Sequence, residues 1–133
     1  MSWKRSLQMN IIRPAQTTID LNQAAATYTL FTATYAGIVL EELIFRVSDD
    51  AVGGAVTSIS IQTNETVPQI FIPTTIGVVD NLTAQNQLTW EGENYIPLGT
   101  LIQLTIAGGA AGAARVCTVI AYYKSLTYGG FLI

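Results

Sequence analysis

Histidine is absent from this chain, and cysteine occurs once, at Cys117. These absences exclude disulfide frameworks within one chain, Cys/His zinc sites and every catalytic arrangement that needs an imidazole. The single thiol has no base partner, so carboxylates are the class of side chain left for acid–base or nucleophilic chemistry. The glycine pair in VGGAVTS (residues 52–58) lacks the lysine of a phosphate-binding loop. The sequence therefore predicts no cofactor, no metal site and no enzyme activity.

Charge is also scarce in this chain. Of its 133 residues, 50% are hydrophobic and 11% are charged, whereas an average soluble domain is about 25% charged. The folded area expected for this length leaves one charge per about 450 Å² of surface. We expect one domain whose surface faces other protein to a large extent.

The few basic residues are concentrated at the start of the chain. Residues 1–13 carry +3 and no acid, while the remainder carries −6. A short basic leader on an acidic body can dock on an acidic neighbouring subunit or on nucleic acid. Three charges are too few for a nucleic-acid site, so we expect either a solvated arm or a contact between subunits.

The hydrophobic pattern has a period of two, in segments rich in Val, Ile, Thr, Tyr and Phe. Residues 57–63 show it clearly, because Ile59 and Ile61 share one face and serines share the other. The pattern predicts strands at residues 18–22, 27–34, 39–47, 57–63, 69–72, 87–90, 95–98, 101–107 and 115–125. Turn residues separate these segments, including a turn at 92–94, and residues 74–85 have room for a short helical turn. Strands at roughly ten-residue spacing predict an antiparallel β-sandwich or a barrel.

In a strand at residues 39–47, alternate side chains point to opposite faces. The face predicted to lie in the core consists of Glu41, Leu43, Phe45 and Val47. Adjacent Glu41 and Glu42 are then expected on opposite faces of the strand. In that arrangement one of them can meet an arginine of a neighbouring subunit.

Residues 104–123 allow a rival interpretation as a membrane helix, since they contain Gly108 and Gly112 at GxxxG spacing. Arg115 lies just past the middle of the segment, where a cation costs about 2.5 to 3.5 kcal/mol on insertion. The flanking residues alternate with a period of two, so we favour a β-hairpin around a Gly/Ala turn at 108–113. No signal peptide is expected at the start of the chain, and no membrane partner.

Two further patterns raise chemical or binding alternatives. Glu91 and Glu93 have the spacing of a carboxylate pair, as in a glycoside hydrolase, but they lie in the turn-like segment WEGEN (residues 90–94), which favours solvated acids. Trp90, Tyr95 and Tyr122 could form a stacking platform for a sugar or fill a partner's pocket, although packing in the core is favoured for them. The alternative function is a carbohydrate- or receptor-binding module.

Four segments together resemble a known group of proteins: TYTLFTAT (27–34), AVGGAVTSISIQT (51–63), IPLGTLIQLTIAGGAAGAA (96–114) and the last strand, ending at Tyr122 and Tyr123. In the pattern of strand and turn residues in these segments, the chain resembles the small β-sandwich virion proteins of tailed bacteriophages. The likeness covers about residues 18–126. It implies a jelly-roll-like sandwich of about eight strands, commonly trimeric, used as a head decoration or head-fibre base protein.

That resemblance implies no catalytic residues, and it implies the virion as the location. It also implies further copies of the chain and the major capsid protein as partners. The segments outside it, a leader at 1–17 and a tail at 127–133, are expected to be arms that contact neighbouring subunits. The predicted assembly contacts are Trp3, Lys4, Arg5, Arg13, Phe131, Leu132 and Ile133.

Overall fold

A computed structural model describes residues 11–126 and 130–133, and its regular structure is almost entirely β. The strands are β1 (Arg13–Asp20), β2 (Thr27–Thr34), β3 (Ile38–Arg46), β4 (Ser58–Thr63), β5 (Ile70–Ile72), β6 (Gln87–Ile96), β7 (Leu101–Ala107), β8 (Val116–Ser125) and β9 (Phe131–Leu132). A single 3-10 turn, Val79–Asn81, lies between β5 and β6. It falls inside the window in which the sequence left room for a helical turn.

The strands form two antiparallel sheets, one in the order β1-β8-β3-β6 and the other in the order β5-β4-β7-β2-β9. The pairing is nested: β1 pairs with β8, β2 with β7, β3 with β6, and β4 with β5. A long hairpin rolled into two sheets in this way is the jelly roll. The structure confirms the predicted all-β sandwich, and β9 adds a ninth strand beside β2.

The core lies between the inner faces of the two sheets. Ile59 and Ile61 of β4 are completely buried, as the alternation in TSISIQT predicts, and so are Leu43 and Phe45 of β3. Burying side chains of this size contributes about 1.5 to 3 kcal/mol each. The described residues contain no buried side-chain nitrogen or oxygen atom without a hydrogen-bond partner.

Two strands are longer than the sequence pattern indicates. β1 starts at Arg13 instead of residue 18, and Thr17 pairs with Val119. Residues 13–17, expected in the leader, are therefore part of the sheet. β6 runs without interruption through the turn expected at residues 92–94. Both strands lie at sheet edges, where side chains stay partly exposed and the hydrophobic alternation is weak.

The Gly/Ala segment at 108–113 is a crossover between sheets and not the expected hairpin, because β7 and β8 belong to different sheets. It packs against the glycine turn before β4, where the Ala55 amide donates to the Ala110 carbonyl at 2.9 Å. A Cβ at Gly108, whose φ is +91°, would lie 2.2 Å from the Ala55 oxygen. Among the described residues, no helix has the length and apolar character needed to cross a membrane.

Candidate functional site

The charged side chains are divided unequally between the two sheets. The five strands β2, β4, β5, β7 and β9 contain no Asp, Glu, Lys or Arg. Every charged residue that lies in a described strand belongs to the four-stranded sheet. The outer surfaces of the sandwich therefore differ in chemistry, and each is described in turn.

The outer face of the five-stranded sheet is covered by Thr, Ser and Gln side chains in register across three strands. On this face Thr27 and Thr105 share a hydrogen bond of 2.9 Å between their hydroxyl oxygens. Beside it, the Gln103 amide donates to the Thr29 hydroxyl at 3.3 Å. Several of these polar groups thus find partners within the face itself. We call this surface the uncharged face.

The outer face of the four-stranded sheet carries a cleft of about 400 Å³. It lies where β3, β6 and β8 run side by side, next to the residue that precedes β1. We call it the acidic cleft. Its lining residues are Ile12, Glu41, Glu42, Glu91, Gly92 and Tyr122.

A register shift in β3 brings two glutamates to this outer face. Leu40 and Leu43 are both completely buried, although a regular strand would place them on opposite faces. The pairing of β3 with β8 and with β6 shifts between Leu40 and Glu42, as in a β-bulge. The prediction that Glu41 and Glu42 point to opposite faces, with Glu41 in the core, is therefore wrong.

Lys124 of β8 neutralises part of the acidic charge. Its ammonium nitrogen lies 2.8 Å from a carboxylate oxygen of Glu41 and 3.8 Å from one of Glu93. The hydrogen bond that Lys124 donates to Glu41, together with the negative charge of Glu41, raises the pKa of Lys124 above the ordinary lysine value. Because both side chains remain partly accessible to solvent, this ion pair fixes geometry more than it stabilises the fold.

Glu42 and Glu91 occupy a different position in the cleft. They are directly opposite each other across β3 and β6, and Glu42 is also opposite Tyr122 of β8. Among the residues that the structure describes, neither glutamate has an ion-pair partner. Like charges directly opposed on neighbouring strands destabilise a sheet, so this arrangement has an unbalanced negative charge.

The carboxylate pair considered from the sequence is divided by this geometry. Glu91 lines the acidic cleft, whereas Glu93 is not among the lining residues and faces Lys124. Both lie in strand β6 and not in a turn. The described residues contain no group of three or more Cys, Asp and Glu side chains arranged to hold a metal ion.

The three aromatic residues predicted for stacking lie in three different environments. Trp90 packs on the buried ring of Phe71 from the other sheet, with a centroid distance of 4.8 Å. Tyr95 is 52% exposed and covers Gly37, where a Cβ would lie 2.6 Å from the ring. Tyr122 lines the acidic cleft. The structure does not join them into one platform, and Trp90 is partly buried against the core.

The predicted assembly contacts near the two ends of the described chain come together. The guanidinium of Arg13 stacks over the ring of Phe131. That ring also meets the edge of Tyr35, a 76% exposed residue in the turn after β2. Tyr35 was not predicted as a contact residue, since an aromatic residue in a turn carries no periodic signal.

The rest of the predicted tail contacts pack on the same chain. Leu132 is 2% exposed, and Ile133 exchanges backbone hydrogen bonds with Thr32 of β2. Leu132 is therefore buried within its own chain, while the side chain of Ile133 stays exposed. The other predicted contacts, Trp3, Lys4 and Arg5, lie outside the described residues.

Proteins of known structure share the fold of this chain. No family model matches it, and no curated protein matches it. The structure is similar to a chain from the acidic stable capsid structure of Helicobacter pylori bacteriophage KHP30, with a TM-score of 0.57 and 13% identity over 94% of each chain. It is also similar to a chain of the cyanophage Pam1 capsid asymmetric unit, with a TM-score of 0.55 and 12% identity over 86% of this chain and 85% of that one. At such identities the likeness establishes the fold.

Proposed function

We propose that this protein is a non-enzymatic structural subunit of a bacteriophage virion. The nested jelly roll supports this, because chains of two phage capsid structures share it over nearly their whole length. The low charge of the sequence supports it as well, since a surface with few charges is suited to contact with other protein. Within the virion, the proposed role is a head decoration or head-fibre base subunit that docks on the major capsid protein.

The uncharged face is the observation that carries the proposal. Removing a charged group from water costs several kcal/mol unless it is paired. A sheet with no charged residue in any strand avoids that cost when a second surface covers it. Hydroxyl and amide groups that already bond to one another, such as Thr27 with Thr105, lower the remaining cost. We propose that copies of the chain associate through this face, with a trimer as the favoured assembly.

A single introduced charge tests this proposal. Thr29 is exposed on the uncharged face, and Thr18 is an exposed threonine on β1 of the other sheet. Native mass spectrometry of the wild-type chain should show an oligomer. Thr29→Glu should shift it at least tenfold toward monomer, because the new carboxylate must be desolvated, and Thr18→Glu should leave it unchanged.

The particle itself gives the second part of the test. Purified virions should contain the chain in a fixed ratio to the major capsid protein. A strictly monomeric wild-type chain at high concentration, together with its absence from purified particles, would contradict the proposed function.

A further inference from the structure

Part of the negative charge in the acidic cleft is not neutralised by any cation among the described residues of the subunit. Glu42 and Glu91 face each other on neighbouring strands with no described cation between them, while Lys124 is engaged with Glu41 and Glu93. A cation placed between the two carboxylates would convert a repulsive cross-strand pair into an attractive arrangement. The cleft, of about 400 Å³, is an open depression in the sheet surface and not an enclosed cavity.

The sequence contains one segment with the complementary chemistry. Residues 1–12, which precede β1, contain two of the six basic residues of the chain and no acid, and these two, Lys4 and Arg5, are adjacent. A guanidinium can bridge two carboxylates and stack on an aromatic ring, and Tyr122 supplies a ring at the cleft. Ile12 adds an apolar wall against which an alkyl stem can pack.

We propose that the acidic cleft binds the basic leader of a second copy of this chain, with Lys4 and Arg5 at Glu42 and Glu91. This inference rests on the proposed self-association and adds a second contact to it. The chain's own Ile12 forms a wall of the cleft. The leader of the same chain is the competing occupant, and mixed-isotope cross-linking distinguishes it from the leader of a second copy.

Zero-length cross-linking of the full-length chain tests which carboxylates the leader meets. Lys4 and Lys124 are the lysines of the sequence, so a carbodiimide that joins amines to carboxylates gives few products to assign. The subunits are prepared with ¹⁴N and with ¹⁵N, mixed, assembled and cross-linked. The peptide containing Lys124 linked to Glu41 is the internal control, and both of its halves should carry the same isotope.

The expected result is a link from Lys4 to Glu42 or Glu91 in which half of the product joins ¹⁴N to ¹⁵N peptides. Two results would overturn the inference. One is a Lys4 link to these glutamates that always carries a single isotope, which would place the leader in its own cleft. The other is formation of the Lys124 control link with no Lys4 link to either glutamate.

A charge-removal series separates this inference from the proposed function. Glu42→Gln with Glu91→Gln should weaken self-association about tenfold at low salt and remove much of its salt dependence. Lys4→Gln with Arg5→Gln should do the same, and combining the two pairs should add little further loss. Asp80→Asn, at an exposed carboxylate outside the cleft lining, is the control.

The outcomes of this series differ for the two proposals. A wild-type chain that never self-associates and is absent from purified virions would contradict the proposed function, and the docking of the leader with it. An oligomer that is lost on Thr29→Glu but unaffected by both charge-removal pairs would leave the proposed function standing and refute the docking of the leader.

Discussion

The guanidinium carbon of Arg13 lies 5.4 Å from the centroid of the Phe131 ring. Arg13 opens the first strand and Phe131 opens the last, so this contact joins the two ends of the described chain. Both residues were expected to reach toward neighbouring subunits. In the structure they contact each other, and the edge of Tyr35 completes the cluster at a centroid distance of 6.0 Å.

A double-mutant cycle measures the Arg13 contact. Arg13→Gln and Phe131→Leu should each destabilise the chain, and their coupling energy in urea unfolding should be about 0.5 to 1 kcal/mol, as for an exposed cation–π pair. Arg46→Gln, at an exposed arginine in β3, should show no coupling to Phe131→Leu. Equal coupling for both arginines would contradict the assignment.

Gly77 should tolerate no side chain. A Cβ at this position would lie 1.9 Å from the backbone oxygen of Ile59, and the Gly77 carbonyl accepts a hydrogen bond from the Ile59 amide. Gly77→Ala should therefore reduce the free energy of unfolding by about 2 kcal/mol or more. Gly53→Ala, where a Cβ meets nothing within 4 Å, should change it by less than about 0.5 kcal/mol in the same denaturant series.

Asp20 should make the free energy of unfolding depend on pH. Its carboxylate accepts hydrogen bonds from the amides of Arg115 and Asn22, both at 2.9 Å, and these bonds, the Arg115 bond most strongly, hold its pKa below the ordinary 3.8. Because the pKa of Asp20 is lower in the folded chain than in the unfolded chain, its ionised carboxylate stabilises the fold. This contribution is fully present above the pKa of the unfolded chain, and it is lost as the pH falls through the pKa of the folded chain.

The comparison for Asp20 is with Asp20→Asn. At pH 7 wild type should be more stable than this variant by about 1 kcal/mol, and the difference should shrink as pH falls below about 4. Gln16→Ala, which removes an exposed side chain with no ionisable group, should show no such trend in thermal unfolding from pH 2 to pH 7. A difference that grows on acidification would contradict the prediction.

Cys117 should be unreactive until the chain unfolds. The residue is fully buried, and this burial raises the pKa of its thiol. Both effects suppress the thiolate that reacts with disulfide reagents. We expect the native chain to react with such a reagent at least a hundredfold more slowly than the chain in 6 M guanidinium. Rapid labelling of the native chain would show that β8 opens locally.

The positions of the strands could be predicted from the sequence where a strand has one buried face and one exposed face. Ile59 and Ile61 in β4, or Ile102 and Leu104 in β7, alternate strictly with polar residues and are buried as expected. The same logic failed at Glu41, because a register shift moves one residue to the other face without changing the composition. It also failed at residues 13–17, which pair with β8 at a sheet edge, and at residues 92–94, which lie in edge strand β6 where its pairing with β3 shifts register. Little hydrophobic surface is buried at these edges.

The sequence by itself determined that this chain folds into a β-sandwich and that imidazole chemistry is absent from it. Both follow from residue types and from the period of two, which are local properties. Only the tertiary structure decided that Glu42 opposes Glu91, that Arg13 meets Phe131, and that the charges of the strands fall on a single sheet. These relationships join residues far apart in the chain, and their physical cause is the nested pairing of strands, which no local pattern records.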